Sequence, residues 1–411
     1  MQKFIINNNF IFGMLIGVVG KANVGKSTFF KALTLADVLI ANYPFATIKP
    51  NHGVGFVKID CVDTFFKVQC NPREGFCINH KRFVPVDVLD VAGLVPGAHE
   101  GKGLGLAFLN DLNQADALIH VIDAAGTTNE KGEPIAGGHD PAFDVKFLEE
   151  ELDYWFLDIL KKGWEKFARQ VQQEHSNVEK ALAKQLSGLK VEENLVKEVI
   201  RKLNLNKEKP TEWTEEQLKQ IAVYLRKQTK PMIIAANKID LPGARENFEK
   251  LKKQFPEYII VPCSAESELA LKEASRHELI KYTPGDNDFQ MADEKKLSDK
   301  QKNALNFIKE NVLEKNNGTG VQEILNKAVF ELLKYLAIFP GGVNKLEDQY
   351  GRVLPDCFLM PPKSTALDFA FRIHTDLGKN FIRAIDVKTK RVVGKEHVLG
   401  NGDVIEIITS K

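Results

Sequence analysis

The sequence has few cysteines, almost no net charge and no long apolar run. Its five cysteines are an odd number spread over 411 residues, which does not indicate a disulfide framework, so we expect free thiols in a reducing cytoplasm. The 56 basic residues balance 55 acidic ones, so the net charge of +1 gives no whole-chain field that favours nucleic acid or an anionic membrane. No stretch reaches about 18 consecutive apolar residues, and we expect no membrane-spanning helix.

The composition that is present predicts a folded, globular chain. Hydrophobic residues make up 44% and charged residues 27%, which excludes a largely disordered or fibrous protein. At roughly 150 residues per domain, the length predicts two to three domains. Near the start, Asn7–Asn9 interrupt an apolar stretch. Our hypothesis is that Met14 is the natural start and that residues 1–13 are a dispensable leader.

Five short, nearly continuous apolar runs predict the fold class. Strands that are buried on both faces have this composition, and helical stretches separate them here. We therefore predict an α/β fold with a mostly parallel sheet, helices on both sides and ligands beyond the carboxyl ends of the strands. The runs are Leu15–Val19, Val84–Val91, Ala117–Asp123, Met232–Ala236 and Tyr258–Val261.

Three further segments are predicted outside this sheet. Residues 126–230 are far longer than an ordinary connection and carry helical periodicity, so they are predicted to be a helical insertion. Residues 269–317 form a second charged, mostly helical interruption. From residue 345 to 411, short period-2 segments bounded by glycines surround one helix, which predicts a small α+β module.

A phosphate-binding loop follows the first apolar run. The spacing G-x-x-x-x-G-K-S, between a predicted strand and a predicted helix, lets backbone N–H groups cradle phosphates. Lys26 is expected to reach the β- and γ-phosphates and Ser27 to bind Mg²⁺. The predicted nucleotide-binding residues here are Gly20, Lys21, Ala22, Asn23, Val24, Gly25, Lys26, Ser27 and Thr28.

Three short motifs follow later strands. Asp90 in Asp90-Val91-Ala92-Gly93 can support Mg²⁺, while the Gly93 N–H can sense a γ-phosphate. In Asn237-Lys238-Ile239-Asp240, the Asp240 carboxylate can accept hydrogen bonds from the N1–H and 2-amino groups of guanine, a donor pair that adenine lacks. Ser264, Ala265 and Glu266 are predicted to complete the base pocket.

These motifs carry a family resemblance. The chain resembles a GTPase of the Obg superfamily, closest to the archaeal form of the YchF-type branch, on the strings Asn42–Thr47 and Asp90–Gly105. The resemblance implies an Obg-type G domain over residues 14–335, interrupted by the two helical segments. It also implies that Thr47 closes on Mg²⁺ and the γ-phosphate as switch I, and that Pro96–Gly105 is a mobile switch II.

The C-terminal module, residues 345–411, is similar to a TGS domain, a β-grasp fold. That resemblance implies contact with RNA or the ribosome. Residues 351–411 hold ten basic and seven acidic residues, and residues 151–230 hold 16 and 13, so each segment has an excess of +3. A solvated charged face explains either excess equally well. The sequence does not indicate an oligomeric state.

The resulting prediction is a GTP/GDP-binding switch with slow, Mg²⁺-dependent hydrolysis. Lys26, Thr47 and Gly93 are the predicted catalytic residues, and Ser27, Thr47 and Asp90 the predicted metal ligands. Leu94 stands where many small GTPases place a water-orienting Gln, so a partner, a cation or the substrate must supply the missing catalysis. Asn23 resembles an Asn that binds K⁺ in cation-activated GTPases, and a turn-forming Asn is the equal alternative.

Two rival functions remain open from the sequence. One is an ATP-preferring hydrolase, because some YchF-type relatives prefer ATP, although those lack the Asp that is present here as Asp240. The other is a nucleotide-gated binding module with negligible intrinsic hydrolysis, which Leu94 favours. His99 is either a surface residue of switch II or a catalytic base.

The cysteines do not predict a metal site. Cys70, Cys77 and His80, with Cys61 upstream, give the spacing C-x₆-C-x₂-H, which resembles no tight zinc motif. We expect free thiols in a hairpin loop.

Overall fold

The computed structural model describes residues 13–34, 51–91, 111–135, 138–293 and 296–410. The predictions for residues 1–12, Thr47, Gly93, Leu94 and His99, and for both switch segments, lie outside these residues. The chain divides into two compact units. Unit 1 contains Met1–Met14, Thr28–Val88 and Ser264–Lys411, and unit 2 contains Leu15–Ser27 and Leu89–Cys263.

The strands of the described residues are numbered in chain order. They are β1 Leu15–Val19, β2 His52–Asp60, β3 Phe76–Ile78, β4 Lys81–Asp90, β5 Ala117–Asp123, β6 Met232–Asn237, β7 Ile259–Pro262, β8 Ile280–Lys281, β9 Gln290–Met291, β10 Leu336–Pro340, β11 Phe358–Met360, β12 Phe381–Asp386, β13 Arg391–Val393 and β14 Val404–Thr409.

The α-helices of the same residues are also numbered in chain order. They are α1 Lys26–Thr34, α2 Asp63–Phe66, α3 Ala142–Lys161, α4 Trp164–Gln173, α5 Val178–Gln185, α6 Glu193–Lys202, α7 Glu215–Thr229, α8 Ala244–Gln254, α9 Ala265–Arg276, α10 Asp299–Ile308, α11 Glu314–Asn316, α12 Val321–Lys327, α13 Ala366–Ile373 and α14 Thr375–Lys379. Short 3₁₀ turns cover Ser187–Leu189 and Pro210–Glu212, and π-helical turns cover Lys309–Leu313 and Ala328–Leu332.

A parallel sheet forms the core of unit 2. Strands β1, β5, β6 and β7 pair in that order, with Val18 opposite Ile119 and Ile119 opposite Ile233. The end of β4 also reaches this sheet, because the Val91 N–H donates to the Val18 carbonyl over 3.0 Å. Strands β1, β5 and β6 are buried along their whole length, as continuous apolar composition requires of strands covered on both faces. The predicted α/β fold is confirmed.

The long segment between β5 and β6 contains helices α3 to α7 of unit 2. The Asp140 carboxylate accepts the Ala142 N–H over 3.0 Å, and helix α3 begins there. Thr214 and Gln217 form a capping box at the start of α7. The rings of Trp164 and Trp213 stack with their centroids 5.5 Å apart. Helices pack here because each carries an apolar stripe, as the periodicity predicted.

Unit 1 contains a hairpin and a C-terminal sheet. Strands β3 and β4 pair antiparallel, with Cys77 opposite Arg82. The C-terminal sheet has the order β11-β10-β14-β12-β13, so its second strand, Leu336–Pro340, comes from the stretch between the two predicted domains. Strand β11 of this sheet is short, and it pairs antiparallel with β10. Among the described residues, no helix is both long and apolar enough to cross a membrane.

Candidate functional site

The phosphate-binding loop of the sequence motif connects β1 to α1. Neighbouring atoms approach Gly20 and Gly25 so closely that neither position has room for a side chain. A Cβ at Gly20 would lie 2.5 Å from the carbonyl oxygen of Val121, and a Cβ at Gly25 would lie 2.4 Å from Nδ2 of Asn237. Gly25 and Asn23 also have left-handed backbones, with φ of 88° and 60°. The loop is therefore fixed tightly against β5 and β6.

Lys26 and Asp90 form an ion pair at the end of the loop. Lys26 is the first residue of α1, and Asp90 is the last residue of β4. Their side chains are 12% and 18% exposed, so the pair is partly desolvated. Ser27, the next residue of α1, is exposed. The structure therefore brings together three of the predicted residues, a cation, a carboxylate and a hydroxyl, at the N-terminus of a helix, where anions are favoured.

Two side chains of the loop point away from this group and hold neighbouring segments. The buried Lys21 Nζ donates to Oδ1 of Asp144 over 2.8 Å and to the Thr128 carbonyl over 3.1 Å. The Asn23 side-chain amide donates to the Gly132 carbonyl over 2.8 Å. The side chains of these two predicted binding residues therefore tie the loop to the segment before α3, which leaves only their backbones for the predicted phosphate contacts.

The Asn237–Asp240 motif follows β6 in a tight turn. The buried Asn237 Nδ2 donates to the Val24 carbonyl over 2.8 Å, so this side chain supports the phosphate-binding loop. Lys238 has a left-handed backbone, with φ of 61°, and its Nζ donates to Oδ2 of Asp123 over 2.9 Å. Asp240 lies in the turn and is partly exposed. Among the polar side chains of the motif, Asp240 is the one that makes no hydrogen bond or ion pair within the described residues.

Asp123 anchors this turn although the sequence analysis did not select it. It is the last residue of β5, and its fully buried carboxylate also accepts hydrogen bonds from the Thr127 and Thr128 hydroxyls over 2.7 and 3.1 Å. Burial by itself raises the pKa of Asp123, but the bonds from Thr127 and Lys238 outweigh it, so the pKa lies below its usual range. The sequence did offer one signal for this role, which is an acidic residue at the end of a buried strand.

The remaining predicted residues lie at helix starts. Thr28 is half-buried in α1. Ser264 is the N-cap of α9 and is buried, with its hydroxyl 2.8 Å from that of Ser267. Ala265 is buried and Glu266 is exposed in the first turn of that helix. Thr47 and Gly93 lie outside the described residues, so their predicted contacts stay predictions.

Comparison with known proteins gives three matching family models. Residues 15–142 match a 50S ribosome-binding GTPase model. Residues 235–342 match the G4 motif-containing domain of the YGR210-like Obg-like GTPases. Residues 350–409 match the TGS domain. The three matched segments cover the phosphate-binding loop, the turn after β6 and the C-terminal sheet.

Whole-chain relatives extend over nearly the same length. A GTP-binding protein of Methanocaldococcus jannaschii is 50% identical over 397 residues, covering 96% of this chain and 99% of its own. A GTP-binding protein of Schizosaccharomyces pombe is 36% identical, covering 86% of this chain and 88% of its own. The ribosome-binding ATPase YchF of Bacillus subtilis is 28% identical, covering 95% of this chain and 97% of its own.

Solved structures agree with these relatives. The crystal structure of a GTP-binding protein from Pyrococcus horikoshii covers 97% of this chain and all of its own, with 40% identity and a TM-score of 0.77. That overlap extends through the C-terminal sheet. The chain belongs to the Obg-like, YchF-type family of P-loop GTP-binding proteins and carries a C-terminal TGS domain.

Proposed function

We propose that the chain binds GTP with Mg²⁺ at the loop Gly20–Ser27, hydrolyses it slowly, and uses the nucleotide state as a switch at the ribosome or on RNA. The observation that carries this proposal is the grouping of the glycine-fixed loop, the Lys26–Asp90 ion pair and the exposed Ser27 hydroxyl at the start of α1. In this role, Lys26 would exchange its bond to Asp90 for the β- and γ-phosphates and neutralise the charge that develops there.

The donor set suits magnesium. Mg²⁺ prefers hard oxygen ligands and keeps several waters, and Ser27 and Asp90 supply a hydroxyl and a carboxylate beside a cradle that admits no Cβ at Gly25. Ser27 and Thr47 would hold the metal directly, with Asp90 acting through water. When bound, the ion would neutralise negative charge on the phosphates. Gly93 would contribute its backbone N–H to the γ-phosphate.

Guanine specificity rests on Asp240. Its carboxylate is partly exposed at the turn, whereas Asn237 and Lys238 are held by Val24 and Asp123. We therefore assign base reading chiefly to Asp240, and a supporting role to Asn237 and Lys238. The pocket would be completed by the backbone of Ser264, Ala265 and Glu266.

An ATP-preferring hydrolase is the second candidate. The observation that favours it is the name of the bacterial relatives, ribosome-binding ATPase YchF, at 28% identity in Bacillus subtilis. The same names support a ribosomal setting for this chain, with the TGS domain and the helical insertion as the contacting parts. The other alternative, a nucleotide-gated binding module, differs from the proposal only in its rate, since its hydrolysis would be negligible until a partner binds.

The test is hydrolysis of GTP and ATP by the full chain, measured side by side in K⁺ and in Na⁺, with and without ribosomal subunits. We expect slow GTP turnover, stimulated by subunits. Faster turnover in K⁺ than in Na⁺ would support a K⁺ ion at Asn23, and equal rates in the two salts would contradict that hypothesis. Lys26→Ala should reduce turnover to background, which assigns the measured rate to this site.

The specificity test replaces Asp240. Asp240→Asn should lower the preference for GTP over ATP by about tenfold to a hundredfold, because two charge-assisted hydrogen bonds are lost or weakened. The matched control is Asp60→Asn, since Asp60 is an exposed carboxylate of β2. A preference for ATP in the unaltered protein would contradict the guanine assignment and favour the second candidate.

A further inference from the structure

Three cysteines and one aspartate of unit 1 meet in a single cluster between β2 and β4. Cys61 directly follows β2, Asp63 is the first residue of α2, Cys70 lies in the next loop and Cys77 lies in β3. One ligand atom from each of the four lies within 4.8 Å of the others. Cys61, Asp63 and Cys70 are buried and Cys77 is partly buried, and all five cysteines of the chain are free thiols.

The sulfur separation is that of two ligands on one metal. Sγ of Cys61 lies 3.5 Å from Sγ of Cys70. In a tetrahedral zinc site with Zn–S bonds of about 2.3 Å, two sulfurs are about 3.8 Å apart. A disulfide needs about 2.05 Å. The two thiols are therefore too far apart for a disulfide, lie at hydrogen-bond distance from each other, and are close enough to share an ion.

Asp63 offers an oxygen ligand, and hydrogen-bond partners hold its carboxylate in a fixed orientation. Its carboxylate is fully buried, and Oδ2 lies 3.9 Å from the Cys77 sulfur and accepts the Cys70 N–H over 3.1 Å. Its other oxygen, Oδ1, lies 3.0 Å from Nδ1 of His80. Carboxylates that bind metals are themselves held by hydrogen bonds from outer partners, and His80 is placed to be such a partner here. The cluster thus has four ligands and an outer partner.

The backbone fixes these ligands in place. The Cys61 N–H donates to the His80 carbonyl over 2.8 Å, which closes the loop that contains all four residues. The β3–β4 hairpin sets Cys77 directly opposite Arg82, a fully buried cation that offsets negative charge on the thiolates. Preformed ligands cost less conformational entropy when an ion binds.

The cluster lies under the TGS domain. Cys61 and Cys70 belong to one apolar core with Phe339, Leu354, Val387 and Val404. Arg82 donates to the carbonyls of Leu354 and Pro355 over 3.0 and 2.8 Å. The Asn71 N–H, next to Cys70, donates to the Val353 carbonyl over 2.8 Å. The loop Cys61–His80 is therefore the platform on which this part of the C-terminal segment rests.

We propose that Cys61, Asp63, Cys70 and Cys77 form a structural Zn²⁺ site that holds this platform together. Three thiolates select a soft or borderline ion, and four protein ligands leave no open position for catalysis. Binding exchanges three S–H protons for three Zn–S bonds, so it releases three protons and involves no oxidation. The spacing C-x₈-C-x₆-C with an intervening Asp fits no compact zinc motif, which is why the sequence alone predicted free thiols.

The test measures zinc in the purified full chain by mass spectrometry, after gel filtration in buffer with excess Mg²⁺. We expect about one zinc per chain, as for a closed four-ligand site. Cys70→Ser and Cys77→Ser should lose most of it. The matched controls are Cys357→Ser, a cysteine of the same apolar core outside the quartet, and Cys263→Ser, a buried cysteine of unit 2. Equal zinc in all four variants would overturn the proposal.

A second measurement does not depend on the variants being folded. The unaltered protein is stripped with a thiol-reactive mercurial followed by reductant and chelator, then reconstituted with Co²⁺. Tetrahedral thiolate ligation gives intense visible bands and sulfur-to-cobalt charge transfer. A weak octahedral spectrum, or no uptake of Zn²⁺ or Co²⁺, would overturn the site. Stripping should also raise the rate of proteolysis between the hairpin and the TGS domain, and zinc should restore protection.

Discussion

Two fully buried aspartates, one in each unit, are neutralised in different ways. Asp123 of unit 2 accepts hydrogen bonds from the Lys238 ammonium and from two threonine hydroxyls. Asp63 of unit 1 is bonded by the Cys70 N–H and the Cys77 thiol, with His80 beyond it. Within the described residues no lysine or arginine bonds Asp63. A buried carboxylate needs compensating positive charge. For Asp123 that charge is the ammonium group of Lys238, and for Asp63 we propose that it is a bound metal ion.

The largest expected effect comes from removing Asp123. Asp123→Ala leaves the Lys238 ammonium and the Thr127 and Thr128 hydroxyls without their acceptor, and we expect a loss of about 3–5 kcal/mol in the free energy of unfolding. Urea unfolding measures it. The control is Asp60→Ala, whose exposed pair with Lys81 should contribute less than about 1 kcal/mol. Similar losses in both variants would remove the distinction between buried and exposed carboxylates.

A smaller effect tests whether the second buried pair of unit 2 acts as a pair. Lys21 and Asp144 are 4% and 6% exposed, and each single change, Lys21→Met or Asp144→Leu, removes the ion-pair partner of the other. After Lys21→Met, Asp144 keeps its contact with Nε2 of His139, 2.8 Å from Oδ1. The double variant should be more stable than the sum of the single losses predicts, with a coupling of about 1–3 kcal/mol. Chemical unfolding of the three variants completes the cycle. Strictly additive losses would show that the ion pair contributes nothing of its own.

The smallest expected effect is a pH slope from Lys230, which has no carboxylate bonded to it within the described residues. Its buried Nζ donates to the carbonyls of Asn113 and Ala115, each over 2.7 Å. Burial and the charge of Lys190, partly offset by Asp116, lower the pKa of Lys230 to about 7. Two donated bonds are also what a neutral amine can make.

The sign follows from proton binding. Between the folded pKa and the unfolded value of about 10.4, the unfolded chain binds more protons, so stability rises with pH by up to about 1.4 kcal/mol per unit. Lys230→Met should lack this rise, which urea unfolding at pH 7, 8 and 9 measures as a difference between the two proteins. Parallel pH curves would mean that Lys230 stays charged in the folded state.

The sequence predicted what depends on contiguous residues. The strands Leu15–Val19 and Ala117–Asp123 have the predicted bounds, because a buried parallel strand is a continuous apolar run. The loop between Leu15–Val19 and Lys26–Thr34 lies where its motif predicted it, because the motif is contiguous and a Cβ at Gly20 or Gly25 would clash with neighbouring atoms.

What the sequence did not predict depends on long-range packing. The bonds from Lys21 to Asp144 and from Asn237 to Val24 join residues more than one hundred positions apart. Strand Leu336–Pro340 was left unassigned because its place in the C-terminal sheet depends on pairing with β11 and β14. The cysteine cluster was missed because its ligands come from a loop, a short helix and a strand.

The bond between Lys21 and Asp144 has a consequence for local opening. It joins the phosphate-binding loop to the first turn of α3, and the loop also donates from Asn23 to the Gly132 carbonyl. Segments joined by buried polar bonds tend to open cooperatively, so their amide protons exchange with solvent together. The amides of the loop and of the start of α3 should therefore report one common free energy of opening, and a partner that binds the helices between β5 and β6 would change how often the loop opens.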